Sequence, residues 1–489
     1  MILSLLLSFI ISFAIGFLVI SLIWPFTKSW PSDLLVKLSL AVGIGQGLTS
    51  CGFFLWLIVF GSYDTRIIIA EVILLAGLLA ALVYRATKRD RSSEAERDSD
   101  TAFQATSVKL RHGWLLAVAF YTMFVSTAFS IVIALLRSPH GIWDAWAIHN
   151  LRARWIFRGA IYWRDSFLIP WTRETHADYP LLLPMSVARG WLYTGGETTA
   201  VPAMLSLFFT LGNVGLVCSA LAVLRGKLQG YLAGIVLMGY TFFIEHGGWE
   251  YADPPLMFFF TATVTLIAFQ FESAKNSYNM LVLAGLAAGL SAWTKNEGLL
   301  FILSIAAAYT AVVLPAEGLR AYLKKLLFFS IGLLPALTMV LYFKIQLAPS
   351  NDLTSAMMSQ VTLNKLLDYH RYASILRAYM AQILFYSGHA INLFFLLAIY
   401  LVCCGATLRH KRSVICTAIL LCLMLTGYTF VYLTTPHDLT WHLQYSTNRL
   451  LLQLWPSFVF LFFLTALTPE EMLRKEEVRR PYNERPAHI

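Results

Sequence analysis

The sequence predicts an all-α, polytopic transmembrane protein with about thirteen spans, and three observations carry that expectation. Of 489 residues, 58% are hydrophobic and 13% charged, with a mean hydropathy of +0.65, which is too little polar surface to coat a soluble globule of this size. Apolar runs of roughly 17 to 25 residues recur from one end to the other, the length a helix needs to cross about 30 Å of hydrocarbon. In such a medium every backbone N–H and C=O must be satisfied within the segment, which selects helices.

Taken in order, residues 2–24 form the first span. No positively charged stretch precedes it and Trp24-Pro25-Phe26-Thr27-Lys28 follows it, so it reads as a retained helix and not as a removable signal peptide. Runs at 38–60 and 67–84 complete an N-terminal membrane group, 1–87, of unknown role. Residues 88–112, rich in Ser, Glu, Asp and Arg at their centre, read as a disordered cytoplasmic linker. A transmembrane unit, 113–345, then holds runs at 114–136, 201–224, 229–244, 255–271, 280–293, 299–314 and 326–345. The pair flanking Lys295 is short for full crossings and reads as shortened or broken helices meeting at a polar pocket. The C-terminal part, 346–467, holds runs at 383–408, 413–433 and 450–467, and a basic cytoplasmic tail, 468–489, ends the chain.

Clusters of Lys and Arg at 85–111, 225–227, 275, 320–325, 409–412 and 474–485 fall on one side if each run crosses once, and that side is cytoplasmic by the positive-inside rule. The long loop 137–200 then faces outward although it carries Arg152, Arg154, Arg158, Arg164, Arg173 and Arg189. Those arginines need a job. The net charge of +10 suits anionic headgroups or a phosphate-bearing lipid, and no basic segment is presented in the manner of a nucleic-acid binder. All six cysteines lie in apolar runs, the pattern of small buried hydrophobes.

Chemistry is concentrated in a few polar stretches. Trp143-Asp144-Ala145 opens the long loop just beyond the run 114–136. Apolar residues at 147, 148, 151, 155 and 156 against Arg152, Arg154 and Arg158 give an amphipathic helix suited to the interface, with Gly159 placed to end it. Asp144 at its start is either a helix cap or a catalytic carboxylate. Glu174-Thr175-His176-Ala177-Asp178-Tyr179-Pro180 leads into the next helix; His176 and Asp178 can join Asp144 as metal ligands, but their spacing is not diagnostic of a divalent metal. Trp249-Glu250-Tyr251-Ala252-Asp253-Pro254-Pro255 puts Asp253 on the rim of a span, and Trp293-Thr294-Lys295-Asn296-Glu297 lays Lys295 between two apolar runs, where it is either functional or ion-paired with Glu297 or Asp253. Arg449, at the mouth of the last run, is placed to fork onto phosphate or to snorkel.

The order of these motifs resembles the integral-membrane GT-C glycosyltransferases, and within them the protein O-mannosyltransferase and lipid A aminoarabinose transferase group. The likeness covers residues 114–314 and, more loosely, the region of Arg449. It implies a GT-C-like helical fold and a transferase that moves a sugar from a polyprenyl-phosphate donor to a hydroxyl of a glycan, lipid or protein acceptor. The active site is then expected on the periplasmic or extracytoplasmic face of a bacterial inner membrane. Asp144 inherits the role of general base, while Asp253 and Lys295 match positions lining the same cavity. Arg173, Lys295 and Arg449 are expected to hold the donor phosphate, with Asp178 and His176 nearby; no cofactor is implied beyond the divalent metal already weighed. A polytopic transporter or lipid flippase is the competing class, disfavoured because no inverted repeat is visible and the polar groups gather on one face.

Overall fold

The computed structural model describes residues 1–25, 32–92, 113–168, 175–273, 278–350, 360–385, 392–468 and 471–472. Among them every regular element is helical, the one β contact being an isolated bridge between Ala406 and Ala466. In chain order the helices are α1 (Ile2–Ile23), α2 (Ser32–Phe60), α3 (Arg66–Ser92), α4 (Gly113–Arg137), a π-helical turn (Ala145–His149), α5 (Asn150–Gly159), a 3-10 segment (Ala160–Phe167), α6 (Leu182–Thr194) and α7 (Ala200–Arg225). They continue with α8 (Lys227–Met238), α9 (Thr241–Trp249), α10 (Asp253–Glu272), α11 (Tyr278–Thr294), α12 (Glu297–Gln346), α13 (Gln360–Leu367), α14 (Tyr369–Phe385), α15 (Leu393–Cys404), α16 (Lys411–Thr434) and α17 (Leu439–Thr465).

Nine of these described helices are long and apolar enough to cross a membrane, or ten if α8 and α9 form one broken span. Their outward faces are apolar: Ile69, Ile73 and Leu79 on α3 and Val118, Val125 and Phe129 on α4 are all exposed. So much continuous hydrophobic surface is incompatible with water and normal against lipid. The chain therefore fits a multi-pass membrane protein.

The expected thirteen runs resolve differently in two places. The run 229–244 is divided between α8 and α9, which meet at a 69° bend where Tyr240 leaves helical backbone. The run 383–408 is also interrupted, because Asn392 is extended and caps α15, accepting from the N–H groups of Phe394 and Phe395, so that α15 spans only Leu393–Cys404. The runs 299–314 and 326–345 both lie within α12, whose two arms are antiparallel, as two separate crossings require. Gly318 takes a left-handed φ of 79° inside it, and Lys344 near its end bonds the side chain of Asn296, just before its start, at 2.7 Å. Close packing holds the returning arm against α11: a Cβ on Gly332 would stand 1.8 Å from the carbonyl oxygen of Val282. Only glycine allows that approach.

The N-terminal helices are part of the body of the protein. On α3, Glu71 forms a two-point ion pair with Arg189 of α6, Nε to Oε1 and Nη2 to Oε2 both at 2.6 Å, and Arg189 also donates to the carbonyl oxygen of Ser8 on α1. From α2, Ser50 donates to the carbonyl of Leu182 and accepts from the Trp293 indole, each at 3.0 Å. Breaking a buried ion pair by removing one partner costs about 3–5 kcal/mol. Glu71→Leu should therefore lower the unfolding temperature of the purified protein sharply, and Glu71→Leu with Arg189→Met should recover much of it; an unchanged melting profile in the single variant would refute this.

The loop arginines mostly have structural work. Arg152, expected on the solvated face of an amphipathic helix, is instead buried against the carbonyl of Ser166 at 3.3 Å and over the Phe167 ring at 5.3 Å. Arg154 and Arg158 share Glu197. The helix ends one residue later than expected, with Ala160 and not Gly159 taking the positive φ. Of the cysteines, Cys218 and Cys416 are buried but Cys403 and Cys422 face outward, where a small apolar side chain suits lipid equally well. The first residues of the expected linker, 88–92, continue α3; beyond Ser92 it lies outside the described residues, as do all but three residues of the tail.

Candidate active site

Four elements distant in sequence bring ionisable groups together at one end of the bundle. The first is the stretch joining α4 to α5. Gly141, with φ 68°, turns the chain at a point where a Cβ would stand 2.6 Å from the carbonyl oxygen of Trp249, and Ile142 N–H donates to that same carbonyl at 3.2 Å. Asp144 follows and then the π turn. The second is the start of α10, where Pro254 and Pro255 occupy the first turn. Proline suits that turn because its missing N–H has no intrahelical partner there, so Asp253 is held rigidly at the helix mouth. The third is the break between α11 and α12, carrying Lys295, Asn296 and Glu297, and the fourth is the middle of α17, carrying Arg449 and Gln453.

Arg449 is the hub. Its Nε and Nη2 fork onto Asp253 Oδ2 at 3.0 and 2.9 Å, and Nη2 also reaches Asp144 Oδ2 at 2.6 Å. The guanidinium lies over the Tyr251 ring, 4.6 Å from its centroid. On the other oxygen of Asp253, Gln453 Nε2 donates at 2.7 Å and Lys295 Nζ approaches to 3.5 Å. Lys295 also pairs with Glu297 at 2.8 Å. Burial alone would lower the Lys295 ammonium, but Asp253 and Glu297 hold it above its usual range. Both ion-pair partners weighed for Lys295 are thus engaged. Asp144 makes no capping bond to the turn it precedes; its carboxylate faces Arg449, and the capping explanation falls.

A second polar group adjoins the first through Asn296. Its amide donates to Asp178 Oδ2 at 2.7 Å while its carbonyl accepts from Lys344, which also sits 3.5 Å from Asp178. His176 stands one step outside, with a positive φ of 45° and its ring stacked on Tyr179 at 4.6 Å. Arg173 lies outside the described residues. Among the described residues no group of three or more His, Cys, Asp or Glu side chains is arranged to hold a metal ion, because Asp144 and Asp253 are turned toward Arg449 and Asp178 toward Asn296.

Several neighbours lacked a sequence signal. Gln453 is one helical turn beyond Arg449, and its orientation is set by Tyr428 of α16, whose hydroxyl donates to its carbonyl at 2.9 Å. His246 on α9 donates Nδ1–H to the carbonyl of Phe242 at 3.1 Å, which leaves Nε2 facing Asp253 Oδ2 at 4.0 Å. His149 is buried, and burial pushes its imidazole down to about 4, so it is neutral beside the charged cluster. Lys344 came into range only because α12 folds back.

Two atoms are left open in this arrangement. Among the described residues, Asp144 Oδ1 accepts no hydrogen bond and Arg449 Nη1 donates none, although the two side chains are joined through Oδ2 and Nη2. An open carboxylate oxygen beside an open guanidinium nitrogen can take a proton and bind an anion at neighbouring points. Comparison with known protein families, with curated proteins and with solved structures found no match.

Proposed function

We propose that the protein is a GT-C-like membrane glycosyltransferase that moves a sugar from a polyprenyl-phosphate donor to an acceptor hydroxyl at the extracytoplasmic face of a bacterial inner membrane. The juxtaposition of the open Asp144 Oδ1 with the open Arg449 Nη1 carries this reading. In the reaction the acceptor oxygen attacks the anomeric carbon, its proton passes to Asp144, and the bond from that carbon to the phosphate oxygen breaks, the electron pair leaving with the phosphate. Arg449 receives the charge that gathers on the departing phosphate, with Lys295 contributing at longer range. Such groups act more strongly where water is excluded, and Lys295 is buried. Asp253 and Gln453 keep the guanidinium in place during the step.

The likeness to GT-C enzymes in motif order supports the choice of donor, and the apolar helices around the site suit a substrate with a prenyl tail. The test is a transfer assay in liposomes holding the purified protein and a polyprenyl phosphate carrying a radiolabelled sugar. Label is expected to move from lipid to added hydroxyl acceptors. Label that crosses the bilayer while remaining on the lipid would instead identify a flippase.

A further inference from the structure

Against the segment that carries Asp144, Glu250 occupies an unusual position. It is 4% exposed and takes a left-handed φ of 59°, a conformation that costs a non-glycine residue energy and persists only where surrounding contacts enforce it. Its Oε2 accepts from the Asn150 side-chain amide at 2.9 Å. Its Oε1 is buried and has no hydrogen-bond partner. The carboxyl lines a small cavity whose other walls are Asn150, Leu183, Val187, Ser206, Tyr251 and the two prolines Pro202 and Pro255.

The placement matters because Glu250 and the residue before it hold both ends of the segment that carries Asp144. The carbonyl of Trp249 accepts from Ile142 at the entry to that segment, the Cβ of Glu250 is within 3.1 Å of where a Gly141 side chain would begin, and Asn150 closes the exit. We propose that Glu250 is a positioning residue that works as a neutral acid, clamping the 141–150 segment through Asn150 so that Asp144 stays against Arg449. This rests on the reading of Asp144 as the base and extends it to the control of its position.

The physical argument is one of unmet hydrogen bonds. A buried carboxylate with a single donor and an orphaned oxygen is costly, and hydration relieves the cost most fully if the side chain leaves the cavity and gives up Asn150. A neutral acid needs just one acceptor for its O–H. Ser206 lines the cavity, and because its own hydroxyl donates to the carbonyl of Gly247 at 2.9 Å its lone pairs stay available. Facing Glu250, α6 contributes Leu183 and Val187, α7 Pro202 and Ser206, α10 Pro255, and the loop Asn150, none of which titrates. Tyr251 does, but burial pushes it up to about 12. Burial likewise pushes the Glu250 carboxyl up to about 7, against the Asn150 bond that lowers it. With the folded value above the ordinary one, the neutral clamp is complete in acid and is lost as pH rises through about 7.

Hydrogen exchange of the full-length protein in lipid nanodiscs, corrected for intrinsic rates, reads the clamp without any appeal to catalysis. In the wild type, exchange across 141–150 should rise about tenfold, some 1.4 kcal/mol, as pH crosses neutrality. Glu250→Gln, which keeps the Asn150 bond and cannot ionise, should hold the slow acid-side rate at every pH, while Glu250→Ala and Asn150→Ala should exchange fast throughout. A flat wild-type profile, or Glu250→Gln behaving like Glu250→Ala, would overturn the proposal. In the transfer assay the wild-type rate should fall over the same pH range and the Gln variant should lose that limb. Exchange that follows pH in protein with no transferase activity would leave the clamp standing and remove the transferase reading.

Discussion

Arg449→Ala is expected to damage both the fold and donor binding, and by more than any other single change at the site. The arginine neutralises Asp253, whose side chain is entirely buried, and it is the only side chain bonded to the Asp144 carboxylate among the described residues. Its removal leaves Asp253 with Gln453 and a Lys295 ammonium at 3.5 Å that is already shared with Glu297. Truncating one partner of a buried ion pair typically costs about 3–5 kcal/mol, and unfolding of the purified variant in detergent should show a loss of that order. Arg449→Lys should not restore it, because a single ammonium cannot reproduce a fork that spans two carboxylates from one planar group. Adding Asp253→Asn to Arg449→Ala removes the stranded charge, so the double variant should regain part of the stability while still failing to bind a polyprenyl phosphate. Full binding of that lipid by Arg449→Ala would remove the arginine from the phosphate site.

Much of this site was legible beforehand for a simple energetic reason. An ionisable side chain at the end of an apolar run is expensive unless it is paired or used, so Asp144, Asp253, Lys295 and Arg449 stood out, and the structure brings those residues together. Gln453 did not stand out because a neutral amide carries little penalty, and Lys344 did not because a lysine at the end of an apolar run reads as an ordinary snorkelling flank until Asn296 and Asp178 are seen beside it. Glu250 shares a motif with Asp253 but carries no signal of its own: left-handed backbone is the habit of Gly and Asn, and a glutamate held there by tertiary contacts leaves no trace in composition. Span counting failed for a related reason. Hydropathy averages over a window, so the bend between α8 and α9 and the interruption before α15 pass unnoticed when both flanks are apolar. The arginines of the long loop misled in the opposite direction, since charge alone does not separate Arg152 and Arg189, which are buried in structural contacts, from Arg449, which faces the two carboxylates.

For Asp144→Asn the expected result is the reverse of that for Arg449: a folded protein that binds donor and does not turn it over. The substituted asparagine can still accept from Arg449 Nη2 through its amide oxygen, so the guanidinium keeps its place on Asp253 and no buried charge is stranded. Stability should therefore change little, and the affinity for a polyprenyl phosphate should stay near the wild-type value. What is lost is the oxygen proposed to take the acceptor proton, and a positioned base is worth roughly 10² to 10⁴ in rate. The effect belongs in single-turnover transfer at saturating donor, where binding no longer contributes. Asp144→Glu discriminates further: it keeps a carboxylate but displaces it by one methylene, and since misplacement of about 1 Å can cost about 10²-fold it should fall between the wild type and Asn. Equal transfer by Asp144→Asn and the wild type would sink the assignment. Loss of donor binding alongside transfer would instead make Asp144 a support for Arg449, because only a group acting on the acceptor proton can be removed without disturbing the phosphate.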